Sequence, residues 1–305
     1  MAQPQKGICA EPNLHAQYLM FNVVDDDHAT IRQKLAQILN IFEHYDNEHY
    51  EAMVSGVVAI GSSYWLELYP GLIPMELAPF PDMQCEDRSA PVVPCDLFIQ
   101  IRADRADICF AIATDVFALL KDEVELIEQI TSFRYLDGRD LTGFVDGTEN
   151  PKGMHKFDVA IVGDDDPDFV GGSYIHIQRY RHDLEKWNLL QVKKQEEIIG
   201  RTKADDIEFA GADKAKFAHT KRTSLKNDEG KSIEILRQSM PYGDMKVQGL
   251  MFISCAKSPK PFTDMLSSMI FGDEHGVYDK LLDFTTAETG AAFFAPSVHF
   301  IKQYA

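Results

Sequence analysis

Four residues from position 146 onward stand in settings that could support chemistry. Asp146 lies in Gly143-Phe144-Val145-Asp146-Gly147-Thr148-Glu149-Asn150-Pro151. Glycines before and after it allow unusual backbone angles and close approach by a flat ligand. An acid in such a turn can be held at a fixed angle over a cavity. A surface Asp-Gly turn stopped by Asn-Pro has the same composition. His219, in Phe217-Ala218-His219-Thr220, offers an imidazole that could ligate a metal or a haem iron, or it is a loop histidine. Spacing does not decide, because no HExxH pattern and no second histidine at ligand spacing accompany it. Arg237 follows Ile235 and Leu236. Strand alternation could turn it inward, where a guanidinium needs an anion or acceptor. On an edge strand ended by Pro241 it would face solvent. Arg201, after the glycine stop in Ile198-Ile199-Gly200-Arg201, could grip a carboxylate or complement a helix dipole.

Competing machinery is missing from the sequence: there is no P-loop, no GxGxxG and no GxSxG elbow. The runs Asp25-Asp26-Asp27 and Asp164-Asp165-Asp166 fit solvated turns better than an EF-hand or a two-metal site. Acidic residues outnumber basic ones 48 to 30, a net charge of -18 that repels phosphate backbones and argues against nucleic acid as a partner. The five cysteines are odd in number and lack CxxC spacing, so reduced thiols are expected rather than disulfides or a zinc knuckle. The opening Met-Ala-Gln-Pro-Gln-Lys-Gly has no apolar leader, and no apolar run reaches a membrane span. A cytoplasmic protein without membrane association is the expectation.

The elements that must position these residues can be read from periodicity. Strands are predicted over 17–24, 54–60, 96–103 and 130–136, with helices over 31–42 and 106–120. On the first helix Ile31, Leu35, Ile38, Leu39 and Phe42 share one face. In the third strand Leu97, Ile99 and Ile101 alternate with Phe98, Gln100 and Arg102. A similar order then returns: strands over 173–180, 233–240 and 250–256, helices over 184–199 and 261–270. This predicts an α+β protein of two ferredoxin-like domains, a duplicated split β-α-β unit. The expected boundary gives domains 1–137 and 138–305, with the proline-rich stretch 70–94 as a long loop of the first.

Together these segments resemble the dye-decolorising peroxidase family, its bacterial B class in particular. The resemblance spans essentially the whole chain. It is anchored on the GxxDG signature at 143–147 and continues through Gly171-Gly172-Ser173-Tyr174, Ile198–Lys203, Ala218-His219, Ile235–Gly243, Gly249–Ala256 and Phe293-Phe294-Ala295-Pro296-Ser297. It implies haem b in the C-terminal half, with His219 as proximal ligand, Asp146 as distal aspartate and Arg237 as distal arginine. Arg201 would lie near the haem propionates. Gly147, Thr148 and Glu149 would border the cofactor, and Leu250 and Phe252 would line its distal side. Where the family often has Asp-Asn after the distal arginine, this chain has Gln238-Ser239, and Ser239 could reach the distal network only through water.

The implied activity is oxidation of bulky aromatic donors such as dyes and phenols by hydrogen peroxide, through a ferryl haem. Asp146 would serve as base and then acid, and Arg237 would stabilise separating charge. An aspartate base implies an acidic optimum for dye oxidation. Asp228, Glu229 and Glu234 are the candidates for a carboxylate behind His219. Trp65 and Trp187 are candidates for electron relay, and core packing accounts for them equally well. The alternative is a haem-handling protein with incidental peroxidase activity, which has no need to keep Asp146 and Arg237 together. A homo-oligomer is expected on general grounds. Without an obvious C-terminal extension, cargo of a protein nanocompartment is not.

Overall fold

The computed structural model describes residues 2–305. The first half runs β1 (His15–Val23), α1 (His28–Glu48), β2 (Ser55–Gly61), α2 (Trp65–Leu68), a small hairpin of β3 (Met83–Cys85) and β4 (Arg88–Ala90), β5 (Leu97–Ala103), α3 (Ala106–Leu120) and β6 (Val124–Phe133). The second half runs α4 (His155–Ala160), β7 (Ser173–His182), α5 (Leu184–Asn188), α6 (Val192–Ile199), α7 (His219–Thr223), β8 (Leu236–Arg237), β9 (Met240–Gly243), β10 (Gln248–Ala256), α8 (Lys260–Ile270), β11 (Thr285–Ala287), β12 (Ala291–Ala295) and α9 (Val298–Gln303).

The main sheet runs β7-β12-β2-β5-β1-β6-β9-β10, and β10 pairs back onto β7, closing a barrel-like ring of eight strands. Each half contributes four neighbouring strands. In both sets the strands lie across the sheet in the order second, third, first, fourth of their own half. β8 and β9 are successive segments along one edge of β10, and β11 and β12 along one edge of β7.

Alternation along the strands sorts side chains into two layers. Leu97, Ile99 and Ile101 face outward and pack under α1 and α3, while Phe98 joins Tyr18, Val57, Ile175, Met251 and Phe293 inside the ring. α1 buries Ile31, Leu35, Ile38, Leu39 and Phe42, the face read from the sequence. Its first turn is capped by Asp27, whose side chain accepts from the Thr30 N–H. Each such aliphatic side chain, fully buried, contributes about 1.5–3 kcal/mol.

Three predicted elements differ. The strand expected over 130–136 lies at Val124–Phe133, and Leu136 is an exposed residue with φ +48°. Glu125 and Glu128 interrupt the apolar pattern at its start and hide it from a periodicity reading. The helix expected over 184–199 is two helices, broken after Asn188. Gln195 Nε2 donates to the Trp187 carbonyl across the break, 2.9 Å. The strand expected over 233–240 pairs only at Leu236–Arg237 and resumes at Met240. Between them the Ser239 hydroxyl replaces a main-chain acceptor for the Ile253 N–H, 3.1 Å.

Candidate active site

Asp146 is presented by a tightly tied turn. The Asp146 N–H donates to the Gly138 carbonyl, and Arg139 donates to the Gly143 carbonyl, 3.0 and 2.9 Å. Gly143 has φ +89°, a left-handed conformation that makes the first glycine of the signature necessary, and the Lys203 side chain packs against the space a Cβ would take. Asp140 anchors the base of the turn. Its carboxylate accepts from the Thr142 N–H and hydroxyl and pairs with His182 Nε2, at 2.9, 2.5 and 3.0 Å. Burial alone would raise the Asp140 carboxyl, but His182 and the Thr142 bonds outweigh it and hold it at about 2.

Arg237 stands on β8 opposite Ser254 of β10. Because Leu236 points into the barrel, Arg237 points out of it, into a cleft over the outer face of β10. One of its terminal nitrogens lies 3.7 Å from Asp146 Oδ1. Burial raises the Asp146 carboxyl above its ordinary value, and Arg237 opposes that rise. Asn150 ties the two together. Its side-chain amide donates to the Arg237 carbonyl (2.8 Å) and accepts from the Arg237 N–H (3.0 Å), as a paired strand would. In the sequence Asn150 is only half of an Asn-Pro stop, and its partner is 87 residues away.

His219 is the first residue of α7. Its Nδ1 bonds Asp279 Oδ2 at 2.6 Å, and Asp279 is fully buried. Asp279 is fixed in turn by the Leu281 N–H, 2.9 Å. The carboxylate behind His219 is therefore none of the three expected. Glu234 instead pairs with His155 and Glu229 with Lys231, both at 2.9 Å, and no bond joins Asp228 to His219. Asp279 is 60 residues from His219, and only the folded chain brings them together. With Nδ1 occupied by a carboxylate, Nε2 carries the lone pair that can ligate a metal.

None of these three functional side chains is sealed in the core. Asp146, Arg237 and His219 keep 24%, 25% and 24% of their side-chain surface, although Asp146 is deep enough to be desolvated. On the outer face of β7 and β10, Leu250 and Phe252 are half-buried. Nearby, His176 Nδ1, Gln178 Nε2 and Ser254 Oγ are buried without partners. Ser239, by contrast, is occupied with the main chain, not with Asp146 or Arg237.

Arg201 is engaged on every side. It pairs with Asp206 (2.8 Å), Glu149 (2.9 Å) and Glu208 (3.3 Å), and also donates to the Asp206 carbonyl. Thr148 donates to Asp206 as well, 2.6 Å. Arg201, Thr148 and Glu149 thus form one ionic cluster at the end of the turn that presents Asp146. Trp65 and Trp187 are both wholly buried in aromatic packing, Trp65 against Tyr69, Phe169 and Phe294, Trp187 against Phe144 and Phe284.

The family models described as Dyp-type peroxidase, N-terminal and C-terminal, match residues 5–134 and 137–300. The chain belongs to the Dyp-type peroxidase family. It is 38% identical to a dye-decolorizing peroxidase of Mycolicibacterium paratuberculosis over 98% of this chain and 85% of the relative. The structure of a Dyp-type peroxidase protein from Shewanella oneidensis superposes with a TM-score of 0.98 at 51% identity, covering 100% of this chain and 99% of that one. A variant of DypB from Rhodococcus jostii RHA1, solved in complex with haem, gives 0.94 at 35% identity, covering 98% and 97%. The Dyp-type fold, with two domains of mixed helix and sheet, accounts for the closed ring described above.

Proposed function

We propose that the chain is a haem b peroxidase in which His219 holds the iron while Asp146 and Arg237 handle hydrogen peroxide. Membership of the Dyp-type family carries peroxidase activity and haem as cofactor. The observation that supports this assignment of residues is the partly open Asp146–Arg237 pair together with a partly open histidine backed by buried Asp279. Bound haem supplies the redox chemistry that reduces peroxide and oxidises a donor. The protein supplies the rest. Asp146 accepts the proton from one peroxide oxygen and returns it to the departing one. Arg237 stabilises the charge that separates and keeps Asp146 available as a carboxylate. Asp279 orients His219 and strengthens it as a ligand.

Leu250, Phe252 and Gly147 would contact the cofactor's plane and edge. Arg201 would meet a propionate, with the mostly exposed Glu149 as the partner it exchanges. Bulky aromatic donors, dyes and phenols, are the reducing substrates. The matching strand orders of the two halves support two ferredoxin-like domains, 1–137 and 138–305, with haem in the second. All five cysteines are unpaired, which suits a cytoplasmic setting. Among the described residues no helix is long and apolar enough to cross a membrane. Phe110 and Phe117, exposed on one face of α3, support a homo-oligomer.

The deciding experiment is an absorption spectrum of haem-loaded protein before and after one equivalent of hydrogen peroxide. A Soret band that changes at once and returns when a dye is added supports the reading. A band that peroxide leaves unchanged returns the chain to haem handling. No Soret band after reconstitution removes His219 as ligand. The rate of the peroxide step should be slow while Asp146 is protonated. It should rise with pH through an Asp146 midpoint above the ordinary aspartate value, then level off. Stopped-flow rates between pH 3 and 8 check this, and a rate still climbing at pH 8 removes Asp146 as the base.

A further inference from the structure

Inside the barrel, on the face opposite to the one Arg237 takes, a cation is buried without a counter-charge. Arg102 is 2% exposed. Among the described residues no carboxylate lies within salt-bridge distance of it. Its recorded partner is neutral: Arg102 donates to the Gln238 side-chain oxygen, and Gln238 is held by the Ile8 and Ala10 carbonyls, 2.9 and 3.2 Å. The other interior arginine, Arg179, is matched by Glu128 at 2.9 Å. Arg102 Nε has no partner.

Register shows what surrounds it. Ala16 on β1 lies between Arg102 of β5 and Ser132 of β6, and Tyr18 follows two residues on, toward the same interior. Tyr18 is 0% exposed and Ser132 1%, and both hydroxyls also lack partners. Three unpartnered donors thus sit on adjacent strands around Ala16, the smallest side chain of the row. The segment around Ile8 closes this end of the barrel and excludes solvent. A desolvated guanidinium is costly unless an anion or acceptor meets it, and hydroxyls that donate toward the same point complete an anion's shell.

We propose that the barrel interior beside Ala16 is a binding site for a small monovalent anion, chloride in the first instance, held by Arg102, Tyr18 and Ser132. Bound there, the anion neutralises Arg102 and locks the first-half strands β1, β5 and β6 to the Gln238 segment of the second half. The site is structural and independent of the peroxide chemistry.

Crystals of the haem-loaded protein soaked in bromide should show one anomalous peak bonded to Arg102 Nε and at least one of the two hydroxyls. In solution, chloride replacing gluconate at constant ionic strength should raise the unfolding midpoint saturably. Halide binding at the haem side is followed separately by the Soret band. Arg102→Met should abolish the chloride effect. Tyr18→Phe, which removes one hydroxyl and should fold even where Arg102→Met does not, should raise the half-saturating chloride about tenfold. Ordered water at this position in the bromide-soaked crystal overturns the proposal. So does a midpoint that fails to distinguish chloride from gluconate.

Discussion

The two halves of the barrel use the same strand order and put it to different ends. In the first half the outer sheet face is sealed by two long helices, α1 and α3, over wholly buried Leu97, Ile99 and Ile101. In the second half the covering helices between β7 and β8 are short and separated, and α7 is one of them. α8 covers part of the corresponding face, laying Phe262 on His176 and Phe252, and the face still carries half-buried Leu250 and polar atoms of His176, Gln178 and Ser254 that find no partner. A sheet face covered by continuous amphipathic helices becomes core. The same face left partly open, with polar groups fixed at its rim, becomes a site. The difference lies in the connections, not in the strands.

The largest effects should separate the halves cleanly. Arg237→Leu should slow the peroxide step by about 10²–10³-fold, the cost of removing one preorganised charge-stabilising group. Haem content and the unfolding midpoint should stay near those of the parent. Leu35→Ala, in the sealed half, should lower stability by about 2–5 kcal/mol and leave the peroxide rate per haem unchanged. Stopped-flow rates and denaturant unfolding on both variants test this. A Leu35 variant that loses peroxide reactivity per haem would erase the distinction between core half and site half.

The sealed half was also the half most legible in the sequence. The face of α1 could be read because five apolar residues repeat at helical spacing, and β5 because Leu97, Ile99 and Ile101 alternate strictly. Such regularity follows from continuous burial. The open half breaks the rules that make sequences readable. Its expected 16-residue helix is interrupted at a segment where Leu189 is exposed, and its expected strand at 233–240 depends on a serine side chain for continuity. Asp146, His219 and Arg237 were found through resemblance to a family, since composition left a surface turn, a loop histidine and an edge-strand arginine open. Asp279 and Asn150 left no local trace, because each acts on a partner 60 or 87 residues away.

The proximal side offers a finer test. Asp279→Asn would keep a hydrogen bond to His219 but remove the charge behind it, weakening the ligand. A loss of about 10–100-fold in haem affinity or peroxide rate is expected. The comparison with Glu234→Gln sharpens the assignment. Glu234 lies on the His155 pair, so its variant should behave as the parent. Equal losses in both variants would mean that the His219–Asp279 bond is not what tunes the site.

The smallest effect should come from Asn150, and it bears most directly on how an open face can still hold groups in register. Asn150 takes the place of a neighbouring strand for the Arg237 peptide, while the loop that carries it also carries Asp146. Asn150→Ala removes both bonds, so Arg237 should sit less firmly beside Asp146, and the peroxide rate should fall about tenfold. The sign of a second change identifies the cause. Arg237 opposes the burial that raises the Asp146 carboxyl, so loosening it lets that carboxyl rise further. The acid limb of the peroxide rate should therefore move to higher pH in Asn150→Ala. A variant that is less stable, yet keeps the parent's limb, would show that Asn150 only braces the loop and that the distal pair is aligned by the sheet alone.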